Sequence, residues 1–152
     1  MSIQIRKGKP EDRETIAAFQ MAMAKETENI QLDRQVLEKG INAIFENPAL
    51  GQYFVAEADG KIVASMMTTF EWSDWRNSTV WWLQSVYVLP EYRRTGIFRK
   101  MYEHVKQEVT RRPEVSGIRL YMVTSNRKAA ATYEAVGMDG NRYRMFEWMK
   151  DY

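Results

Sequence analysis

The sequence contains no cysteine. That excludes a disulfide framework, a thiolate zinc site and a cysteine nucleophile at once. A single histidine, His104, leaves little material for a histidine metal centre or a Ser-His triad, and no metal is expected. No apolar run reaches the roughly 18 residues of a membrane-spanning helix, so no membrane partner is expected. The amino terminus, MSIQIRKGKPED, is charged early and lacks the apolar core of a secretion signal, which makes the cytoplasm the expected location. Neither G-x-x-x-x-G-K-[ST] nor G-x-G-x-x-G occurs, so the triphosphate loop and the dinucleotide fingerprint are both missing. There is also little net charge, +2.

What is present fits one globular domain over residues 1–152, with 45% hydrophobic and 28% charged residues. The small net charge hides an uneven distribution. Residues 91–128 hold ten basic and four acidic groups, for +6, whereas residues 1–50, 51–90 and 129–152 carry −1, −2 and −1. One basic segment in a near-neutral chain suggests a local anion site, and no nucleic-acid partner is expected.

Periodicity predicts the elements. Ile3 to Arg6 alternates like a short strand. Pro10 with Glu11 and Asp12 marks a helix start, and Ile16, Phe19 and Met23 follow at helical spacing. A second helix begins near Asp33 and stops at Asn47-Pro48. Tyr53 to Ala56 and Lys61 to Ala64 flank Asp59-Gly60, a tight hairpin turn, and the second arm runs on through Phe70. Glu71 to Ser78 reads as a polar loop. Val80 to Leu89 is rich in β-branched and aromatic residues and reads as a buried strand. Ile97, Met101, Tyr102, Val105 and Val109 form a helical stripe. Ile118 to Val123 reads as a strand, Asn126 to Val136 as a short helix ended by Gly137, and Tyr143 to Met149 as a last strand. The expected order is β-α-α-β-β-β-α-β-α-β.

The chemistry points to Pro90-Glu91-Tyr92-Arg93-Arg94-Thr95-Gly96-Ile97-Phe98. A strand feeding a loop with one glycine at a helix start offers unpaired N–H groups and the positive end of the helix dipole, which suits an anion. Arg93 and Arg94 add bidentate donors for phosphate, and Gly96 lets the backbone approach a ligand. An ordinary strand-to-helix loop with solvated arginines fits the same spacing.

This loop, following Val86-Tyr87-Val88-Leu89-Pro90, resembles the acyl-CoA loop of the GNAT superfamily of N-acetyltransferases, whose pattern is Q/R-x-x-G-x-G/A. Asn126 to Met138 resembles the family's second motif, N-x-x-A-x-x-x-Y-x-x-x-G-[MF]. The resemblance implies an α/β (α+β mixed) fold with a central twisted, mostly antiparallel sheet, splayed central strands and flanking helices. It implies acetyl-CoA as co-substrate. Its pantetheine arm would meet backbone groups of Val86, Tyr87 and Val88, and its phosphates the segment Arg93, Arg94, Thr95, Gly96, Ile97, Phe98 and Arg99. Asn126 would touch the pantetheine arm, and Tyr133 would lie near the thioester sulfur. Phe98 departs from the pattern, standing where glycine or alanine is usual.

Transfer of an acetyl group to an amine needs a neutral amine, a polarised carbonyl and a protonated leaving thiolate. With no cysteine, direct attack within a ternary complex is favoured. A backbone N–H near Val86 would polarise the carbonyl, and Tyr133 would be the general acid. The base is open. Many relatives place a glutamate where Gln84 stands, and Glu71, Asp74, Glu26 or Glu28 would have to act instead, through water if need be. The acids and tryptophans of Glu71 to Arg76 suit a cation, and the segment resembles the matching loop of diamine and polyamine acetyltransferases. The acceptor is therefore a small-molecule amine or a protein amine, with Glu71, Asp74 and Gln84 as substrate candidates. Ten methionines and five tryptophans, with an apolar final strand, are compatible with a homodimer. A non-catalytic acyl-CoA-binding or regulatory module is the rival function.

Overall fold

The computed structural model describes residues 1–151. They form two units, Met1–Arg119 and the stretch from Leu120 onward. In the first, β1 (Ile3–Lys7) leads through a short 3-10 turn (Pro10–Asp12) into α1 (Arg13–Glu28) and α2 (Arg34–Glu46). β2 (Gln52–Ala58), β3 (Lys61–Ser73) and β4 (Ser78–Val88) follow, then a 3-10 turn (Pro90–Tyr92), α3 (Ile97–Thr110) and β5 (Val115–Arg119). The second unit holds α4 (Arg127–Ala135).

The five strands lie in the order β1-β2-β3-β4-β5. β1 to β4 pair antiparallel, and β5 joins β4 in parallel. That last pairing runs from Thr79↔Val115 to Trp82↔Arg119 and stops there, while β4 continues to Val88. The mostly antiparallel sheet with flanking helices is thus present, with β5 as a short edge strand on the first half of β4.

Strand alternation sends successive side chains to opposite faces. Tyr53 and Val55 meet Ile16 and Ala17 of α1 and Ile41 of α2 on one face, with Ile62 and Met67 packed alongside. On the other, Phe54 of β2 meets the edge of His104 of α3 with ring centroids 5.7 Å apart. Ile97, Met101 and Val105 are the fully buried positions of α3. Each such aliphatic side chain contributes about 1.5–3 kcal/mol on burial. His104 is therefore a half-buried packing residue.

Local signals account for several boundaries. Asp33 accepts hydrogen bonds from the N–H groups of Gln35 and Val36 and starts α2. Asp59 and Gly60 take φ of 52° and 83°, the left-handed pair a tight hairpin turn demands. The entry to α1 is tied down by Asp12, 5% exposed, whose carboxylate accepts from Arg6 and from the Lys9 N–H.

Three expectations need correction. Glu71 to Ser78 is not a loop: the pairs Glu71↔Val80, Trp72↔Thr79 and Ser73↔Ser78 carry the β3–β4 ladder outward, leaving only residues 74–77 to turn. The strand expected at Ile118 to Val123 is β5, which lies earlier because its partner is the beginning of β4. The last strand, Tyr143 to Met149, does not form. An alternating apolar stretch becomes a strand only with a ladder partner, and among the described residues this one has none.

Candidate active site

The site residues of the first unit gather where β4 ends and α3 begins. β4 carries an irregularity just before its end. Its register with β3 jumps between Met67↔Gln84 and Ser65↔Tyr87, so Ser85 and Val86 stand opposite Met66 alone. Ser85 has φ 56°, a left-handed conformation that costs a non-glycine residue about 1–2 kcal/mol. Its carbonyl accepts from Gln20 Nε2 of α1 at 3.3 Å. Bulges turn backbone groups out of the ladder and recur beside active sites.

Beyond Pro90 the chain makes a second irregular turn. Arg94 has φ 64° and Gly96 φ 83°, and Gly96 opens α3. The Thr95 hydroxyl donates to the Tyr92 carbonyl and braces the turn. The first backbone bond of α3 is Lys100 N–H to Gly96 O, so the turn before it presents N–H groups that have no acceptor within the helix. A Cβ built on Gly96 meets no atom within 4 Å. Open space over a left-handed glycine at a helix start is a cradle a phosphate group fits. Phe98, the departure from the motif, is half-buried with its ring stacked on Tyr102 at 6.2 Å, which reconciles its bulk with the loop.

The two arginines part ways. Arg94 is exposed. Arg93 donates through Nε to the Val88 carbonyl at 2.8 Å and through both terminal nitrogens to Glu26 at 2.6 and 2.8 Å. Its guanidinium also lies 5.4 Å from the centre of the Tyr87 ring. Arg93 is thus a clamp between the end of α1 and the end of β4. The Arg93 bond holds the Glu26 carboxyl below the usual carboxylate range, which makes Glu26 a poor base. Ile97 is buried, and Arg99 is exposed on the same turn.

Of the substrate candidates, Glu71 and Gln84 lie on one sheet face. Glu71 accepts from Trp82 Nε1 at 3.0 Å and from Arg119 at 2.8 Å. These two bonds, the indole first, lower its pKa, so its charge is already matched within the sheet. Gln84 Nε2 donates to Thr69 Oγ1 at 2.7 Å. Asp74 sits in the hairpin turn, where its carboxylate accepts from the Trp75 N–H, and Glu28 ends α1, exposed. Trp72 and Trp75 at that hairpin are 64% and 93% exposed, so they do not pack over the sheet edge.

In the second unit, Asn126 caps α4 by accepting from the Ala129 N–H at 3.1 Å. Tyr133 is half-buried on that helix, and burial pushes its phenol up, favouring the protonated form. A shallow concavity of about 640 Å³ runs along α3 by Glu103, His104, Gln107 and Arg111, apart from the loop and the bulge. Among the described residues no helix is long and apolar enough to cross a membrane.

Sequence reasoning missed Ser85, Gln20, Arg119 and the Arg93–Glu26 pair. Only Gln20 left a signal: an uncharged polar residue at helical spacing from Ile16 and Met23 on an apolar stripe.

A strand that runs through Pro90 into a glycine-opened helix is the local arrangement the first motif implies. Comparison with known proteins agrees. The acetyltransferase (GNAT) family model matches residues 14–138, and the chain belongs to that family. A possible acetyltransferase from Clostridium difficile 630 is 42% identical, with 98% of each chain covered and a TM-score of 0.90. A predicted acetyltransferase with acetyl-CoA from Clostridium acetobutylicum is 18% identical, with 96% of each chain covered and a TM-score of 0.73. Glucosamine-6-phosphate N-acetyltransferase from Arabidopsis thaliana is 17% identical, covering 97% of this chain and 99% of that one, with a TM-score of 0.72. The last two likenesses concern the fold alone. Comparison with curated proteins finds no match.

Proposed function

We propose that the chain is an acetyl-CoA-dependent N-acetyltransferase, acting as one domain over residues 1–152, that moves an acetyl group directly to a primary amine. The observation that carries this is the Arg94–Gly96 cradle at the start of α3, set straight after the β4 bulge. The family match runs from residue 14 to residue 138, into the second unit, which supports treating the two as one functional domain. The donor supplies an activated acetyl group and a phosphate-bearing handle. The loop N–H groups and Arg94 hold the phosphates, Val86 to Val88 meet the pantetheine arm, and the Asn126 amide nitrogen is its remaining donor for that arm. The Val86 N–H donates to the carbonyl oxygen that gains charge during transfer. The amine nitrogen bonds to the carbonyl carbon as the carbon–sulfur bond breaks. The amine's surplus proton leaves to water, and Tyr133 gives its proton to the departing sulfur.

Gln84 cannot take a proton at neutral pH, and Glu26 and Glu71 are held ionised by arginine partners. Asp74 lies in the β3–β4 turn and Glu28 at the exposed end of α1, so we assign neither as base; the amine enters as the free base, and rate rises with pH through the acceptor's own titration. The same observation favours a second reading, a non-catalytic acyl-CoA-binding module. A panel of small amines, polyamines and peptides with acetyl-CoA, read by free thiol release, separates the two. Release with at least one amine is expected. Acetyl-CoA at 100 times its dissociation constant should stabilise the fold by about 2.7 kcal/mol. No thermal shift at millimolar acetyl-CoA overturns both readings, and a shift without thiol release leaves the module.

A further inference from the structure

We propose that Gln20 of α1 is a positioning residue for the transfer step, fixing through its bond to the Ser85 carbonyl the direction of the Val86 N–H. This role rests on the acetyltransferase reading above. Gln20 is 5% exposed and lies on the buried side of α1 with Ile16, Phe19 and Ala24. A polar side chain so placed is costly unless its bonds are made. Its partner is the carbonyl of the one residue in β4 with left-handed backbone, at the point where β3 and β4 lose register. A carbonyl only accepts, so Gln20 must present Nε2 there and its amide orientation is settled.

The consequence follows from peptide planarity. The Ser85 carbonyl and the Val86 N–H belong to one rigid trans unit, in which they point in opposite directions. A hydrogen bond that holds the carbonyl toward α1 aims the N–H away from it. The bulge has removed the β3 register partner that would otherwise set this plane. Gln20 thus holds a peptide plane whose other end the mechanism uses, and it acts without touching either substrate. Ser65 provides the internal control. It lies across the same bulge on β3, 0% exposed, with a hydroxyl that bonds to no other group among the described residues.

The test compares Gln20→Leu, Gln20→Glu and Ser65→Ala with wild type. It measures kcat with an amine acceptor, the dissociation constant of acetyl-CoA by direct titration, and the unfolding temperature. Gln20→Leu keeps the volume but loses the donor. Its kcat should fall about tenfold or more, the scale set by mis-aiming one preorganised donor, while acetyl-CoA affinity stays within about threefold of wild type. Ser65→Ala should keep kcat within about twofold. Gln20→Glu adds a readout that packing does not move. A carboxylate cannot donate to the Ser85 carbonyl but a carboxylic acid can, so the ratio of its kcat to wild type, taken at each pH, should recover toward acid. Should Gln20→Leu fail to fold, this ratio decides alone. A Gln20→Leu kcat within twofold of wild type overturns the role, as does a pH-independent Gln20→Glu ratio. A wild type that binds acetyl-CoA but releases no thiol with any amine overturns the enzyme reading and this role together. Normal wild-type turnover with an indifferent Gln20→Leu removes the role alone.

Discussion

Two stretches of left-handed backbone build the candidate site, and they are held in different ways. The loop before α3 is held by its own sequence: Gly96 accepts φ 83° without a Cβ penalty, and Thr95 ties back to Tyr92. The bulge in β4 has no glycine. Ser85 takes φ 56° because the flanking ladder fixes both sides and Gln20 reaches over from α1 to donate to the displaced carbonyl. One turn is local and legible, the other is tertiary and costs conformational energy that packing must offset. The difference assigns them different sensitivities. Changes within the loop should act on donor affinity, and changes to the support of the bulge should act on turnover.

The largest effect that tests this division is expected at Gly96. Gly96→Val forces a β-branched residue to φ 83° and places atoms in the open space over the cradle. Backbone strain of about 1–3 kcal/mol, plus crowding, should weaken acetyl-CoA binding by about thirtyfold, measured by calorimetric titration. The unfolding temperature without ligand should change little, since the exposed loop leaves φ 83° in the free variant and regains it, at that cost, only when the donor binds. Affinity equal to wild type would remove the loop from donor binding and leave the comparison with one functional turn.

The same contrast explains what the sequence disclosed. Wherever a single residue type fixes the backbone, the expectation held: Asp33 before α2, Asp59-Gly60 between β2 and β3, Gly96 before α3 and Asn126 before α4. Where a partner far along the chain decides, the sequence alone did not disclose it. Arg93 looks like a phosphate ligand in sequence, yet its guanidinium is taken by Glu26, 67 residues away. Glu71 looks like a cation site, yet Arg119 and Trp82 already match it. Tyr143 to Met149 has a strand's alternation and no ladder partner among the described residues. Composition and periodicity record what a segment can do alone, and the bulge, the clamp and the matched carboxylate are properties of pairs.

A second test asks how firmly α1, which delivers Gln20, is anchored. Burial alone would raise the Asp12 pKa, but the bonds from Arg6 and the Lys9 N–H outweigh it and the net shift is downward. The Arg6–Asp12 ion pair spans 2.8 Å between side chains only 18% and 7% exposed. A depressed carboxyl pKa gives stability that is present above the unfolded value, near pH 4, and lost as pH falls through the folded one. Asp12→Asn should lower stability by about 2 kcal/mol at pH 7, or about 4–8 °C in the unfolding temperature. It should also flatten the stability profile below pH 4. Denaturant midpoints from pH 3 to 7 check both. Unchanged stability at pH 7 would mean that α1 is seated by its apolar face alone.

The smallest effect is expected where the two turns are joined. Arg93 bonds the Val88 carbonyl at the end of the bulged strand and Glu26 at the end of α1, and it immediately precedes Arg94. Its side chain and that of Glu26 are 38% and 44% exposed, so solvent screens the pair and its worth is about 0–1 kcal/mol. Glu26→Gln keeps one hydrogen-bond acceptor for Arg93 and removes the charge. Acetyl-CoA affinity should fall by no more than about threefold, more at low salt than at high, because what is lost is a screened attraction. An increase in affinity would mean that Arg93, once released, turns to the phosphates. The loop would then be restrained by its clamp, and the division between a self-held turn and a supported one would have to be redrawn with Glu26 as a brake on donor binding.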